Sequence, residues 1–219
     1  MNPDREKWIK SIGVSLLVFI LFSIYLFLRR GYYNLYIINK VFGSTAIVLA
    51  GFSLLVGPLS RSNPFFSRFM TIRRQLGLSA FVLAIAHIIA SLLQQNRFPL
   101  FSWYTNEWIP VLFGIVAVGI WVYMTYISRN SKIKQMGIDV WKRNLSIAGK
   151  LAFIAIFFHL TVMKYEGWIR WFRGQVKATP ELANPSYPPA SLFVLLIMVI
   201  VILYRVMYYF KTKTNSRRV

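Results

Sequence analysis

The sequence predicts an all-α integral membrane protein, a bundle of six transmembrane helices with both termini cytoplasmic. Three observations predict it: the composition, the length of the apolar blocks, and the side on which the basic residues fall. Of the 219 residues, 57% are hydrophobic and only 15% charged, with a mean hydropathy of +0.53. A soluble domain carries about 25% charged residues to cover its surface. The apolar residues gather in six blocks, each long enough to cross a hydrocarbon core at about 20 residues per span. Lipid offers no hydrogen bonds to the backbone, so such blocks must be helices or barrel strands. Barrel strands are about ten residues of alternating polarity, and these blocks do not alternate.

The first block, residues 11–28, follows the basic residues Arg5, Lys7 and Lys10. Its 18 residues exceed a secretory apolar core of roughly 7–15, and no small-residue cleavage pattern precedes Arg29 and Arg30, so an uncleaved anchor is expected. The remaining blocks are residues 36–59, 75–93, 109–128, 146–163 and 190–210. With the N-terminus inside, 18 of the 26 basic residues fall on the cytoplasmic side. They comprise the three just named, Arg61, Arg68, Arg73 and Arg74 after the second block, Arg129, Lys132, Lys134, Lys142, Arg143 and Lys150 around the fourth connection, and Arg205, Lys211, Lys213, Arg217 and Arg218 at the end. This positive-inside bias orients the chain in a cell (inner or plasma) membrane and accounts for the net charge of +20 without nucleic acid. The whole chain, 1–219, reads as a single membrane domain.

Two outer connections stand out. Residues 164–189 contain Trp168, Ile169, Arg170, Trp171, Phe172 and Arg173, a mixture suited to an interfacial segment or aromatic belt. Pro180, Pro185, Pro188 and Pro189 then break the loop. Residues 96–108 carry the belt aromatics Phe98, Phe101, Trp103, Tyr104 and Trp108.

The absence of cysteine removes thiolate ligands, iron–sulfur clusters, covalent c-type haem and disulfides. No glycine-rich nucleotide motif appears, so electrons, if the chain moves them, must be loaded by a separate donor. The two histidines, His87 and His159, both fall inside spanning blocks. An ionisable group in a span is a functional candidate because burying it is costly; the alternative is a hydrogen bond across a helix interface. His87 lies 13 residues beyond Arg74 and His159 lies 16 beyond Arg143. At the helical rise these are about 20 and 24 Å, similar depths past the midplane.

Each histidine ends a stripe of mostly small residues: Gly77, Ala80 and Ala84 below His87, and Gly149, Ala152 and Ala155 below His159, interrupted by Ile156. Such stripes serve close helix packing and would equally leave room for a flat macrocycle. Imidazoles on facing helices of a bundle can hold haem iron from both sides. Zinc wants four ligands, and no acid lies inside an apolar block, which also disfavours proton-relay transport. Arg97 and Lys164, just beyond the outer ends of the two histidine helices, could meet haem propionates or be ordinary loop charges.

The run Arg73 to Phe81 (Arg-Arg-Gln-Leu-Gly-Leu-Ser-Ala-Phe) followed by His87 resembles the third-helix motif of the ferric-reductase-like transmembrane domain family. Trp141, Lys142 and Arg143 ahead of His159 resemble the start of that family's fifth helix. The similarity covers about residues 40–165, and the nearest branch is that of the haem-binding membrane subunits of periplasmic methionine sulfoxide reductase systems (MsrQ/YedZ-like). The resemblance implies a six-helix b-type cytochrome without its own flavin or nicotinamide domain. Electrons would pass from quinol or a cytosolic flavin donor to an acceptor protein or small oxidant at the outer face. It further implies His87 and His159 as axial iron ligands. The branch's usual Leu-His-Arg-Leu-like run is replaced by Asn144, Leu145, Ser146 and Ile147, and each ligand helix carries one histidine where oxidase relatives carry two. One haem is therefore expected, or a second site with an unusual ligand. The outward position of a single haem leaves about 20 Å to a cytosolic donor, which a membrane quinone would shorten. Two other readings stand beside this one: a non-catalytic scaffold or assembly factor that has lost haem ligands, and a small-solute transporter, for which no internal repeat is evident.

Overall fold

The computed structural model describes residues 3–99 and 102–215; Phe101, Arg217 and Arg218 lie outside the described residues. The described residues form helices joined by turns and loops, with no strand and one isolated bridge between Thr179 and Leu182. The elements are α1 (Pro3–Arg30), α2 (Leu35–Ser62), a 3₁₀ turn (Pro64–Phe66), α3 (Ser67–Met70), α4 (Arg73–Leu92), α5 (Ser102–Asn106), α6 (Trp108–Ile127), α7 (Asn130–Met136), α8 (Ile138–Phe172) and α9 (Ala190–Asn215). Six of them, α1, α2, α4, α6, α8 and α9, are long and apolar enough to cross a membrane. They contain the six predicted blocks, with Leu93 and Ser128 as C-caps of α4 and α6.

Local chemistry sets the ends of α2. The Asn34 side chain accepts from the Ile37 amide at 3.2 Å, satisfying one of the free donors at the helix start. Asn63 closes the helix and its side chain accepts from Phe65 at 2.9 Å, turning the chain into the 3₁₀ segment. Pro58 sits within α2 and has no N–H for the Leu54 carbonyl; Arg205 of α9 reaches that oxygen with Nη1 at 3.4 Å. At the adjacent residue, Arg73 Nε donates to the Ser53 carbonyl at 2.9 Å.

α2 is the most enclosed of the six and α1 the least. α2 packs chiefly on α4 and then on α9, α1 and α8, while α6 packs on α8. Leu49, Leu76, Val194, Met198 and Val201 meet with almost no exposure, joining α2, α4 and α9. Ser11 of α1 meets Ser79 of α4 at 3.2 Å, and Arg61 of α2 donates to Tyr208 of α9 at 2.8 Å. These contacts gather the starts of α1 and α4 and the ends of α2 and α9 at one end of the bundle.

The fifth spanning helix corrects one expectation. Residues 164–172 were expected in a loop with a separate interfacial segment, but α8 runs unbroken for 35 residues to Phe172. No proline interrupts this stretch, and Gly167 alone does not stop a helix already propagating. Its length is about 52 Å at the helical rise, well beyond a hydrocarbon core of about 30 Å. Trp168 is buried and donates to Ser191 Oγ of α9 at 2.9 Å, so it serves packing inside the protein.

The connection from Arg173 to Pro189 folds back as a strap across the end of α1. Ala183 and Asn184 amides donate to the Arg30 and Arg29 carbonyls at 3.3 and 3.0 Å, and the Asn184 side chain to the Leu28 carbonyl at 2.6 Å. These are carbonyls that a helix end leaves without internal donors. Arg29 Nε and Tyr25 Oη return bonds to the Tyr187 and Pro188 carbonyls at 2.9 and 2.6 Å.

Candidate functional site

His87 projects from α4 against α2, and His159 from α8 against α6. The His87 Nδ1–H donates to the Asn39 carbonyl at 3.0 Å, and the His159 Nδ1–H to the Pro110 carbonyl at 2.7 Å. In each case the residue four positions after the accepting carbonyl is a glycine on which the ring lies. A Cβ placed on Gly43 would stand 3.2 Å from His87 Nδ1, and one on Gly114 would stand 3.1 Å from His159 Nδ1. The two helix pairs, α2 with α4 and α6 with α8, thus carry the same device. No repeat is evident in the sequence because the matching parts are two carbonyls and two glycines, with Asn39 facing Pro110 in type.

The device fixes the chemistry of each ring. A hydrogen on Nδ1, held by a carbonyl, leaves the lone pair on Nε2. Neither Nε2 has a hydrogen-bond partner among the described residues. This is the arrangement in which histidines ligate metals, the far nitrogen oriented by a backbone oxygen. Further bonds hold the first pair: Asn39 Nδ2 donates to Ser91 Oγ at 2.9 Å, and Ser91 Oγ donates to the His87 carbonyl at 2.9 Å. Both imidazoles are half-buried. They are near enough to interact electrostatically with each other, and both interact with the Lys164 ammonium. Among the described residues no group of three or more histidine or acidic side chains gathers anywhere.

The small-residue stripes turn inward. Ala80, Ala84, Ala152 and Ala155 are all buried. The lower ends of both stripes, Gly77 from α4 with Gly149 and Ala152 from α8, meet at one internal cavity of about 30 Å³ closed by Trp121, Phe153 and Ile156. That volume holds about one water.

Arg97 sits on the connection after α4 and forms a two-point ion pair with Glu181 of the strap, at 3.1 and 2.5 Å. The guanidinium pulls the Glu181 carboxyl below its ordinary range, and Glu181 in turn raises the Arg97 pKa. Lys164, on the last third of α8, has no acceptor among the described residues. Sequence reasoning missed Lys40, Gly43, Gly114 and the two accepting carbonyls. Lys40 was reachable by the rule that singled out the histidines, an ionisable group within a spanning block; the backbone partners carry no side-chain signal. Set against models of known protein families and against curated proteins, the chain matches none.

Proposed function

We propose that the chain is a b-type haem-binding transmembrane electron-transfer protein of the cell membrane. His87 and His159 would hold a single haem through its iron. The observation that carries this reading is the paired device: two neutral imidazoles, each oriented by a backbone carbonyl and each presenting an unengaged Nε2. The donor set fits haem iron, which takes two axial nitrogens, better than zinc, which wants four ligands. When bound, the haem supplies one-electron chemistry between ferric and ferrous iron.

The chain's own residues do the rest. The Asn39 and Pro110 carbonyls hold each Nδ1 proton, making the far nitrogen more basic and fixing the ring angle. Gly43 and Gly114 let the rings lie against their helices. Lys164 offers a cation to a propionate; Arg97 can do so on leaving Glu181. The basic residues near the chain ends support a cytoplasmic position for that end of the bundle, with the histidine layer toward the outer face. Electrons then come from membrane quinol or a cytosolic flavin donor and leave to an outer-face acceptor. The motif from Arg73 to His87, resembling the ferric-reductase-like family, supports the same reading.

A pyridine haemochrome assay on protein from haem-replete cells tests it. One haem per chain is expected, with loss of the Soret band in His87→Ala and in His159→Ala. A colourless wild type, or full haem in the double variant, overturns it.

A further inference from the structure

Beyond the histidine layer, on the strap side, cations crowd a single aromatic ring. Lys40 Nζ stands 4.0 Å from the Tyr36 ring centroid, the Arg97 guanidinium 4.2 Å and the Arg30 guanidinium 5.7 Å. Lys164 and Arg29 lie within electrostatic range of Lys40. Five basic residues therefore share one neighbourhood. Among the described residues two acids reach it, Glu181 on Arg97 and Glu107 near Lys164.

Most of these cations have an oxygen. Arg29 donates to the Tyr187 carbonyl and Arg30 to the Glu181 carbonyl, both at 2.9 Å, and Arg97 holds the Glu181 carboxylate. Lys40 and Lys164 have no oxygen among the described residues. Two neighbouring polar atoms, Arg30 Nε and Tyr32 Oη, are also buried without a partner. Membrane orientation does not account for this gathering. The positive-inside bias depletes the outer side of Lys and Arg, yet five of its eight basic residues collect here. Like charges held together with unsatisfied donors are a site for anionic oxygen.

Placement narrows the occupant. Lys40 follows Asn39, whose carbonyl holds His87, and Lys164 lies five residues past His159, about 7.5 Å along α8. Each helix pair thus supplies one imidazole and one unpaired ammonium just beyond it. We propose that Lys40 and Lys164 form a two-point carboxylate site continuous with the histidine layer, and that its occupants are the two propionates of the haem. This rests on the haem reading above. It assigns to Lys40 a role that the ion pair with Glu181 denies Arg97 in the resting structure. The phosphate of an anionic lipid offers similar oxygens and is the competing source.

The test uses the full-length protein in detergent, with Lys40→Met, Lys164→Met and the double variant, and Lys40→Arg and Lys164→Arg as charge-preserving partners. Three readouts apply: haem per chain after washing, midpoint potential, and lipid retained by native mass spectrometry with phosphatidylglycerol as the probe. The Met variants are expected to lose haem about tenfold more readily. Their potential should shift downward, because removing a nearby cation favours ferric iron. The Arg variants should restore both. Red Met variants with unchanged potential overturn the assignment while leaving the haem reading intact, whether or not phosphatidylglycerol is lost. A colourless wild type overturns both, and a potential shift that Arg does not rescue overturns the carboxylate site.

Discussion

Adding one methyl group to Gly43 or Gly114 isolates the histidine device from the rest of the bundle. A Cβ on Gly114 would lie 3.1 Å from His159 Nδ1 and 3.4 Å from Cε1; on Gly43 the nearest His87 atoms would be at 3.2, 3.3 and 3.5 Å. Comfortable carbon contacts begin at about 3.5 Å, so each ring must retreat by about 0.3–0.4 Å. The retreat is away from the helix that carries the accepting carbonyl. The 3.0 Å bond to Asn39 then lengthens past the usual range, while the 2.7 Å bond to Pro110 relaxes to about 3.1 Å and loses chiefly its alignment. Overpacking costs roughly 1–3 kcal/mol and the weakened bond about 0.5–1.5, while alanine returns about 1 kcal/mol of helix propensity. Net destabilisation of about 0.5–3.5 kcal/mol is expected. The larger effect falls on the ligand, since losing such an orienting bond weakens metal binding by roughly 10–100-fold. Gly119→Ala, on the same helix with nothing within 4 Å, is the control. The assay is haem per chain and competition by free imidazole. Gly43→Ala and Gly114→Ala proteins that hold haem as tightly as Gly119→Ala would refute the device.

Three further outcomes follow from the packing. Gly31 has φ +79° and its Cβ would lie 2.9 Å from Ala183 Cβ, so Gly31→Ala should cost about 1–2 kcal/mol for backbone handedness plus the clash. Gly174→Ala, at φ +66° with open space, should lose only the first part, and equal melting shifts for the two would refute the contact. Arg205→Met should destabilise the parent by about 0.5–1.5 kcal/mol more than it does a Pro58→Ala background, where residue 58 supplies the missing N–H; additive effects in the double-mutant cycle would sink the idea. Because Arg97 holds the Glu181 carboxyl below its ordinary range, the strap's ion pair persists at neutral pH and is lost only as pH falls through that lowered value. Hydrogen-exchange protection at residues 181–184, taken relative to the intrinsic rate at each pH, should fall in acid alone, and a fall starting above the ordinary carboxylate range would contradict the pair.

The six long apolar helices were legible because apolar residues dominate each block over its whole length, as in residues 36–59 and 190–210. The ends were less so: Met163 looked like the end of the fifth span because the polar Lys164 and Glu166 follow, yet neither residue stops a helix. The histidines were legible as costly groups in lipid. Their partners were not. A carbonyl at Asn39 or Pro110 is common to every residue, and which glycine meets a ring depends on helix rotation, which a nearly uniform apolar block does not specify. Arg97 was placed at the right end of the bundle, but its pairing with Glu181 joins two loops 84 residues apart, a contact set by how the strap folds.

That strap also fixes an order of assembly. The last carbonyls of α1 find donors only at residues 183–184, as many as 156 positions later in the chain. A ribosome delivers α1 first, but its terminal turn stays open until the segment between α8 and α9 has emerged. The body of α1 can dock on α2 and α4 before then, so it is the closing turn alone that waits for the strap.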